Sequence, residues 1–132
     1  MDMQSTNYQT VAAWRAALRS FMHASKAILK RNGITSMQYQ ALLAIRTESG
    51  SNGLAIKGLA AYLGIKHNSA VDLANNLEEG GYIKRVRSPH DRRVACLHLT
   101  AAGSEILETL VNAHQGEIRR IRPQMSLVLA SL

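Results

Sequence analysis

A single cysteine, Cys96, rules out an internal disulfide framework and fits a reducing compartment. No stretch approaches the roughly 18 consecutive apolar residues of a membrane span, and the N-terminus lacks the apolar core of a secretory signal, so a soluble, cytoplasmic protein is expected. Low-complexity tracts and internal repeats are also absent. His90, Cys96 and His98 fall on or beside one predicted hairpin, but one thiol with loosely spaced histidines is not a metal-ligand pattern, and no metal or other cofactor is expected. Ser69, His67 and Asp72 make a nucleophile arrangement only on paper. Such closely spaced helix positions serve capping better than catalysis, and neither an oxyanion loop nor a glycine-rich phosphate cradle accompanies them. No enzymatic activity is expected.

What the chain does have is positive charge. Its 16 lysines and arginines against nine acidic residues leave a formal charge of +7 on 132 residues, which favours an anionic partner without choosing one. With no membrane-directed segment, nucleic acid is the better candidate. The length fits one domain with a modest core.

Apolar residues recur at helical spacing from Tyr8 to Arg31, through Val11, Leu18, Met22 and Leu29 with Phe21 and Ile28 beside them, and Asn32-Gly33 supplies a stop. This face is expected to be the buried one, with Arg15, Arg19, Lys26 and Lys30 opposite. Thr35 and Gln38 match a capping box, and Ile34 with Tyr39 match its hydrophobic staple, which predicts a second helix from Ser36 to about Glu48. A short strand at Leu54 to Ile56 and a helix at Lys57 to Leu63 follow. Ala60, Gly64 and Val71 have helix-turn-helix spacing: a small residue for close approach, a glycine for the turn, an aliphatic residue to close the angle. In the next helix Ala70, Leu73, Ala74 and Leu77 are expected inside, with Asn68 or Ser69 as cap. His67, Asn68, Ser69, Asp72, Asn75 and Asn76 are left to face outward or flank that surface. Such a row is unusual for a helix exposed only to water and suits base edges and phosphates.

Ile83 to Val86 and Val94 to Leu99 read as two strands joined by the turn residues Ser88-Pro89-His90-Asp91. Arg85, Arg87, Arg92 and Arg93 therefore crowd one loop, where like charges are costly unless a polyanion meets them. Thr100 should cap a last long helix carrying Ile106, Leu107, Leu110, Val111 and His114 inward, with a break or restart at Pro123. His23 and His114 are expected as interfacial or core hydrogen-bonders. Met125 to Leu132 is expected as a short packing segment.

The segments L-G-I-K-H-N-S-A-V-D-L-A-N-N-L-E-E-G-G-Y-I-K-R at 63–85 and D-R-R-V-A-C-L-H-L-T-A-A-G at 91–103 resemble the MarR family of winged-helix transcriptional regulators. The resemblance implies a mainly α fold with a small β-hairpin wing: a winged helix-turn-helix lobe at 34–99 and dimerisation helices at 8–33 and 100–132, all within one domain. It further implies a homodimer that binds a double-stranded DNA operator, commonly as a repressor relieved by a small ligand. Carried over by position, the helix from His67 to Leu77 is the recognition helix and Asp91, Arg92 and Arg93 match the wing tip; within that frame the residue chemistry assigns His67, Asn68, Ser69 and Asn76 to base edges, Lys66 to phosphate and Arg87 to the DNA-facing wing. One of Arg92 and Arg93 should enter the minor groove and the other pair with Asp91 or a phosphate. The family's ligand cleft points to Trp14, Arg15, Leu18, Met22, Tyr39 and Leu43, a set suited to a small aromatic or anionic effector. Asp72, where relatives often carry arginine, motivates the alternative of a winged-helix protein-interaction module. A ligand-independent architectural DNA binder is the third reading.

Overall fold

A computed structural model describes residues 6–132, and its elements run α1 (Tyr8–Arg31), α2 (Ser36–Glu48), β1 (Leu54–Ala55), α3 (Ile56–Leu63), α4 (His67–Glu79), β2 (Ile83–Arg87), β3 (Ala95–Leu99) and α5 (Ala101–Ala130). Local chemistry accounts for most of the boundaries. The Asn7 side chain accepts from the Thr10 amide at 3.0 Å and opens α1. Both halves of the capping box close α2: Thr35 Oγ1 accepts from the Gln38 amide at 3.1 Å, and Gln38 Oε1 accepts from the Thr35 amide at 2.9 Å. Gly64 ends α3 in the left-handed conformation at φ 65°, which a glycine adopts without steric penalty.

The three strands form an antiparallel sheet in the order β1-β3-β2, with Leu54 opposite Leu97 and Arg85 also opposite Leu97 on the other edge. Around it α2, α3, α4 and the start of α5 enclose Leu42, Ile45, Leu59, Leu73, Leu77, Ile83, Leu97 and Leu107. A smaller cluster, Ile28, Leu29, Ile34 and Leu110, joins this head to the stem of α1 and α5. The stem helices are antiparallel: Thr10 lies 2.7 Å from Ser131, Arg120 reaches Ser20 Oγ at 3.0 Å, and Ser25 meets His114 at 2.8 Å. At the joint the Gly103 backbone is pressed against the Tyr82 carbonyl, where a Cβ would stand 2.0 Å from the oxygen. Thr100 pins the same corner, donating to the Gly81 carbonyl at 2.6 Å and accepting from the Gly103 amide at 3.1 Å.

Three expectations are corrected. On α1 the buried residues are Thr10, Ala17, Ser25, Ile28 and Leu29, whereas Tyr8 (78%), Val11 and Met22 stay exposed. Small and hydroxyl-bearing side chains face α5 because they let the helices approach and hydrogen-bond; the bulky stripe points elsewhere. Helix α5 also runs without interruption past Pro123. The lost amide and ring clash of an interior proline cost about 3 kcal/mol, and burial of Ile121 and Val128 on either side offsets this. Finally, α4 begins at His67 with Lys66 as its N-cap residue and no side-chain cap, so Asn68 and Ser69 do not cap it.

His114 is buried as expected, whereas His23 is exposed and has no core role within the chain. Among the described residues no helix is long and apolar enough to cross a membrane.

Candidate nucleic-acid interface

Helix α4 divides by its periodicity. Ala70, Leu73, Ala74 and Leu77 are buried, and His67, Asn68, Ser69, Asp72, Asn75 and Asn76 are all exposed. No side-chain cap spends any of these polar groups at the helix start, so Asn68 and Ser69 remain available for an outside partner. Lys66, exposed just before the helix, stands at its positive dipole end. The outward row of the sequence reading is therefore present in space.

The wing arginines, equivalent in the sequence, are not equivalent in the fold. Arg93 is paired with Asp91: its Nε donates to Oδ1 at 3.1 Å, its Nη2 to Oδ2 at 3.3 Å, and its amide to Oδ1 at 3.0 Å. Those bonds, the side-chain one foremost, hold the Asp91 carboxyl below its ordinary range. Arg87 donates from Nη1 to the Arg92 carbonyl at 3.3 Å, bracing the tip from β2. Arg85 turns inward, its Nε 3.4 Å from Glu78 and its Nη2 donating to Asn75 Oδ1, both on α4. Arg92, exposed, is the wing-tip guanidinium without a protein partner among the described residues.

Between α3, α4 and the wing lies a cleft of about 400 Å³ lined by Lys57, His67, Arg85, Arg87 and Arg93. Lys57, Arg85 and Asn75 were not singled out as site residues by the sequence. Arg85 was visible there as one of the crowded arginines, but only the fold shows that it faces α4. Nothing in the pattern marked Lys57.

The six residues expected around an effector do not converge. Trp14 and Leu18 line an apolar depression of about 200 Å³ with Phe21, Ile118, Ile121 and Met125. Arg15 and Met22 are exposed on α1 outside that lining. Tyr39 stacks on His114 at 4.5 Å between ring centroids, and burial raises its hydroxyl pKa. Leu43 lines a separate groove of about 760 Å³ with Arg46, His98 and Glu108. The split follows from α1 packing through its small face, which turns Arg15 and Met22 away from the lobe.

A helix-turn-helix whose second helix presents an exposed polar row, flanked by a basic-tipped three-stranded wing, defines a winged helix-turn-helix protein. Comparison with known proteins carries this further. A model described as the MarR family matches residues 32–94. A candidate transcriptional regulatory protein for the hcr operon of Thauera aromatica is 33% identical over 99 residues, covering 75% of this chain and 58% of that protein. Among solved structures, a MarR family protein from Bacillus stearothermophilus is 25% identical with a TM-score of 0.71, over 89% of this chain and 82% of that one. The MepR-DNA complex of S. aureus is 20% identical with a TM-score of 0.70, over 89% and 96%. The chain belongs to the MarR family. It spans about half the length of the curated relatives it matches.

Proposed function

We propose that this chain is a sequence-specific DNA-binding regulator of transcription that works as a homodimer and whose hold on its operator is relieved by a small ligand. The observation that carries the reading is the division of labour in the head. His67, Asn68, Ser69 and Asn76 of α4 are exposed with no side-chain hydrogen bond among the described residues, while the wing commits Arg85, Arg87 and Arg93 to bracing and leaves Arg92 free. A braced tip loses less conformational entropy on binding. In this reading His67, Asn68, Ser69 and Asn76 meet base edges, Lys66 meets phosphate, and Arg92 enters the minor groove beside a tip held by Arg87, Asp91 and Arg93. Membership of the family and the fold shared with a DNA-bound relative support it.

The stem supports the dimer. Tyr8, Val11, Trp14, Ile118, Leu127 and Leu129 are large, apolar and exposed on α1 and α5, more than an isolated helix pair leaves in water. Two heads joined there would present their α4 helices roughly 34–36 Å apart, one turn of duplex. Trp14, Leu18 and the apolar depression around them support an aromatic effector at the stem.

Selection of bound sequences from a random duplex pool, followed by affinity against salt, tests the reading. A selected palindrome and an affinity falling steeply with salt are expected. Duplex binding without sequence preference would indicate an architectural binder. A chain that binds no duplex would favour the protein-interaction alternative.

A further inference from the structure

Asn75 is absent from the set of base-reading residues above, yet at about 100° per residue it falls with Asn68 and Asp72 opposite the buried Ala70, Leu73, Ala74 and Leu77. It is exposed on the side of α4 that faces the wing. Its amide is oriented by a neighbour. Arg85 donates from Nη2 to Asn75 Oδ1, and because a guanidinium can only donate, the oxygen must be the atom facing it. The Nδ2 group is left pointing away, with no protein partner among the described residues. Arg85 is itself held: its side chain is only 26% exposed, it is anchored on β2 opposite Leu97, and its Nε lies 3.4 Å from Glu78, one turn along α4 from Asn75.

A free asparagine offers one donor and one acceptor side by side, which matches adenine N7 and N6. Asn75 does not offer that pair. Its carbonyl is engaged by a cation, and the positive charge beside it repels the adenine amino group while attracting acceptors. Guanine presents two acceptors, O6 and N7, on the same edge. We propose that Asn75 is a specificity-determining residue that reads guanine through Nδ2, and that Arg85 is the positioning residue that makes it a donor. The inference rests on the DNA-binding reading above and adds a base to it.

The test is random-pool selection with the full chain and two variants. The wild-type protein is expected to favour guanine at one position of each half-site. Asn75→Ala, at an exposed helical site, should leave the fold intact and flatten that position, lowering its preference by roughly fivefold or more. Arg85→Met keeps the aliphatic stem against β2 but removes the donors, freeing the Asn75 oxygen. It should move the same position from guanine towards adenine, a change that general loosening of the wing would not produce. If the wild type selects an operator and Asn75→Ala leaves every position unaltered, the proposal falls while the DNA-binding reading stands. A wild-type chain that binds no duplex overturns both. Should Arg85→Met fail to fold, the Asn75→Ala profile alone decides whether Asn75 reads that position, and Glu78→Gln, which releases the anchor of Arg85, is expected to blur guanine towards adenine at the same place.

Discussion

The head and the stem solve the problem of burial in different ways. In the head Leu42, Leu59, Leu77 and Leu97 are wholly buried, and its exposed faces are mainly polar. The stem is mixed: Thr10, Ser25 and His114 are buried beside Leu110, Ile121 and Val128, whereas Tyr8 (78%), Val11 (61%) and Leu127 (74%) face out. A unit that buries its large side chains has its driving force inside one chain, because stabilisation scales with apolar area removed from water. A unit that also buries polar groups and leaves large apolar ones outside has less of that driving force within one chain. Hydrogen bonding gives the stem its internal register. The Leu110 carbonyl can only accept, so His114 Nδ1 carries the proton and donates to it at 2.7 Å; Nε2 then accepts from the Ser25 hydroxyl at 2.8 Å.

Substitution at the joint between the two should have the largest effect. Gly103→Ala sets a methyl 2.0 Å from the Tyr82 carbonyl oxygen, with backbone on both sides and nothing flexible to yield. A loss of about 3 kcal/mol in urea unfolding is expected. A midpoint within error of wild type would mean that head and stem are not pinned there. Next in size, Val11→Ser with Trp14→Ser should leave the head's fold unaltered and weaken self-association by about 2–3 kcal/mol, tens- to a hundredfold in Kd by sedimentation. Unchanged association would dissolve the contrast drawn here, since the exposed stripe would then face only water.

Within one stem, Ser25→Ala removes the donor to a buried imidazole nitrogen and should cost about 1–2 kcal/mol, out of proportion to the oxygen removed. Thermal unfolding at one fixed protein concentration for both proteins measures it. The smallest effects belong to the wing. Arg92→Ala should lower the slope of log affinity against log salt by about one, whereas Arg93→Ala should change it less, because Arg93 is occupied by Asp91. Equal slopes for the two variants would erase the assigned difference between them. The Asp91 carboxyl is held below its ordinary value of 3.8 by Arg93, so the pairing is complete above that value and is lost only as the pH falls through the lowered one. The slope difference between the two arginine variants should therefore be flat from pH 5 to 8, as binding titrations across that range would show.

Much of the head was legible because its signals are local. The Thr35 and Gln38 box, the Gly64 turn, the period of α4 and the strand-turn-strand of the wing each depend on residues a few positions apart, and each forms where the pattern puts it. Where the reading went astray, the deciding partner was far along the chain. The buried face of α1 is chosen by Ser131, Arg120 and His114, about 90 to 120 residues away, and no periodicity within α1 reveals that Thr10 and Ser25 have hydrogen-bond partners there. Pro123 follows the same logic, since packing on both sides overrides a local breaker.

By itself, then, the sequence determined the order and type of the elements, the polar row on α4 and the cluster of arginines at the wing, all set by neighbours in the chain and by helical or strand period. Tertiary structure decided which arginine is free, that Arg85 faces Asn75 and Glu78, and that the effector candidates divide among two cavities, open surface and, for Tyr39, the stack on His114. The physical reason is that charge and hydrophobicity belong to a residue, whereas a hydrogen-bond partner belongs to a place, and only folding brings β2 against α4 or α1 against α5.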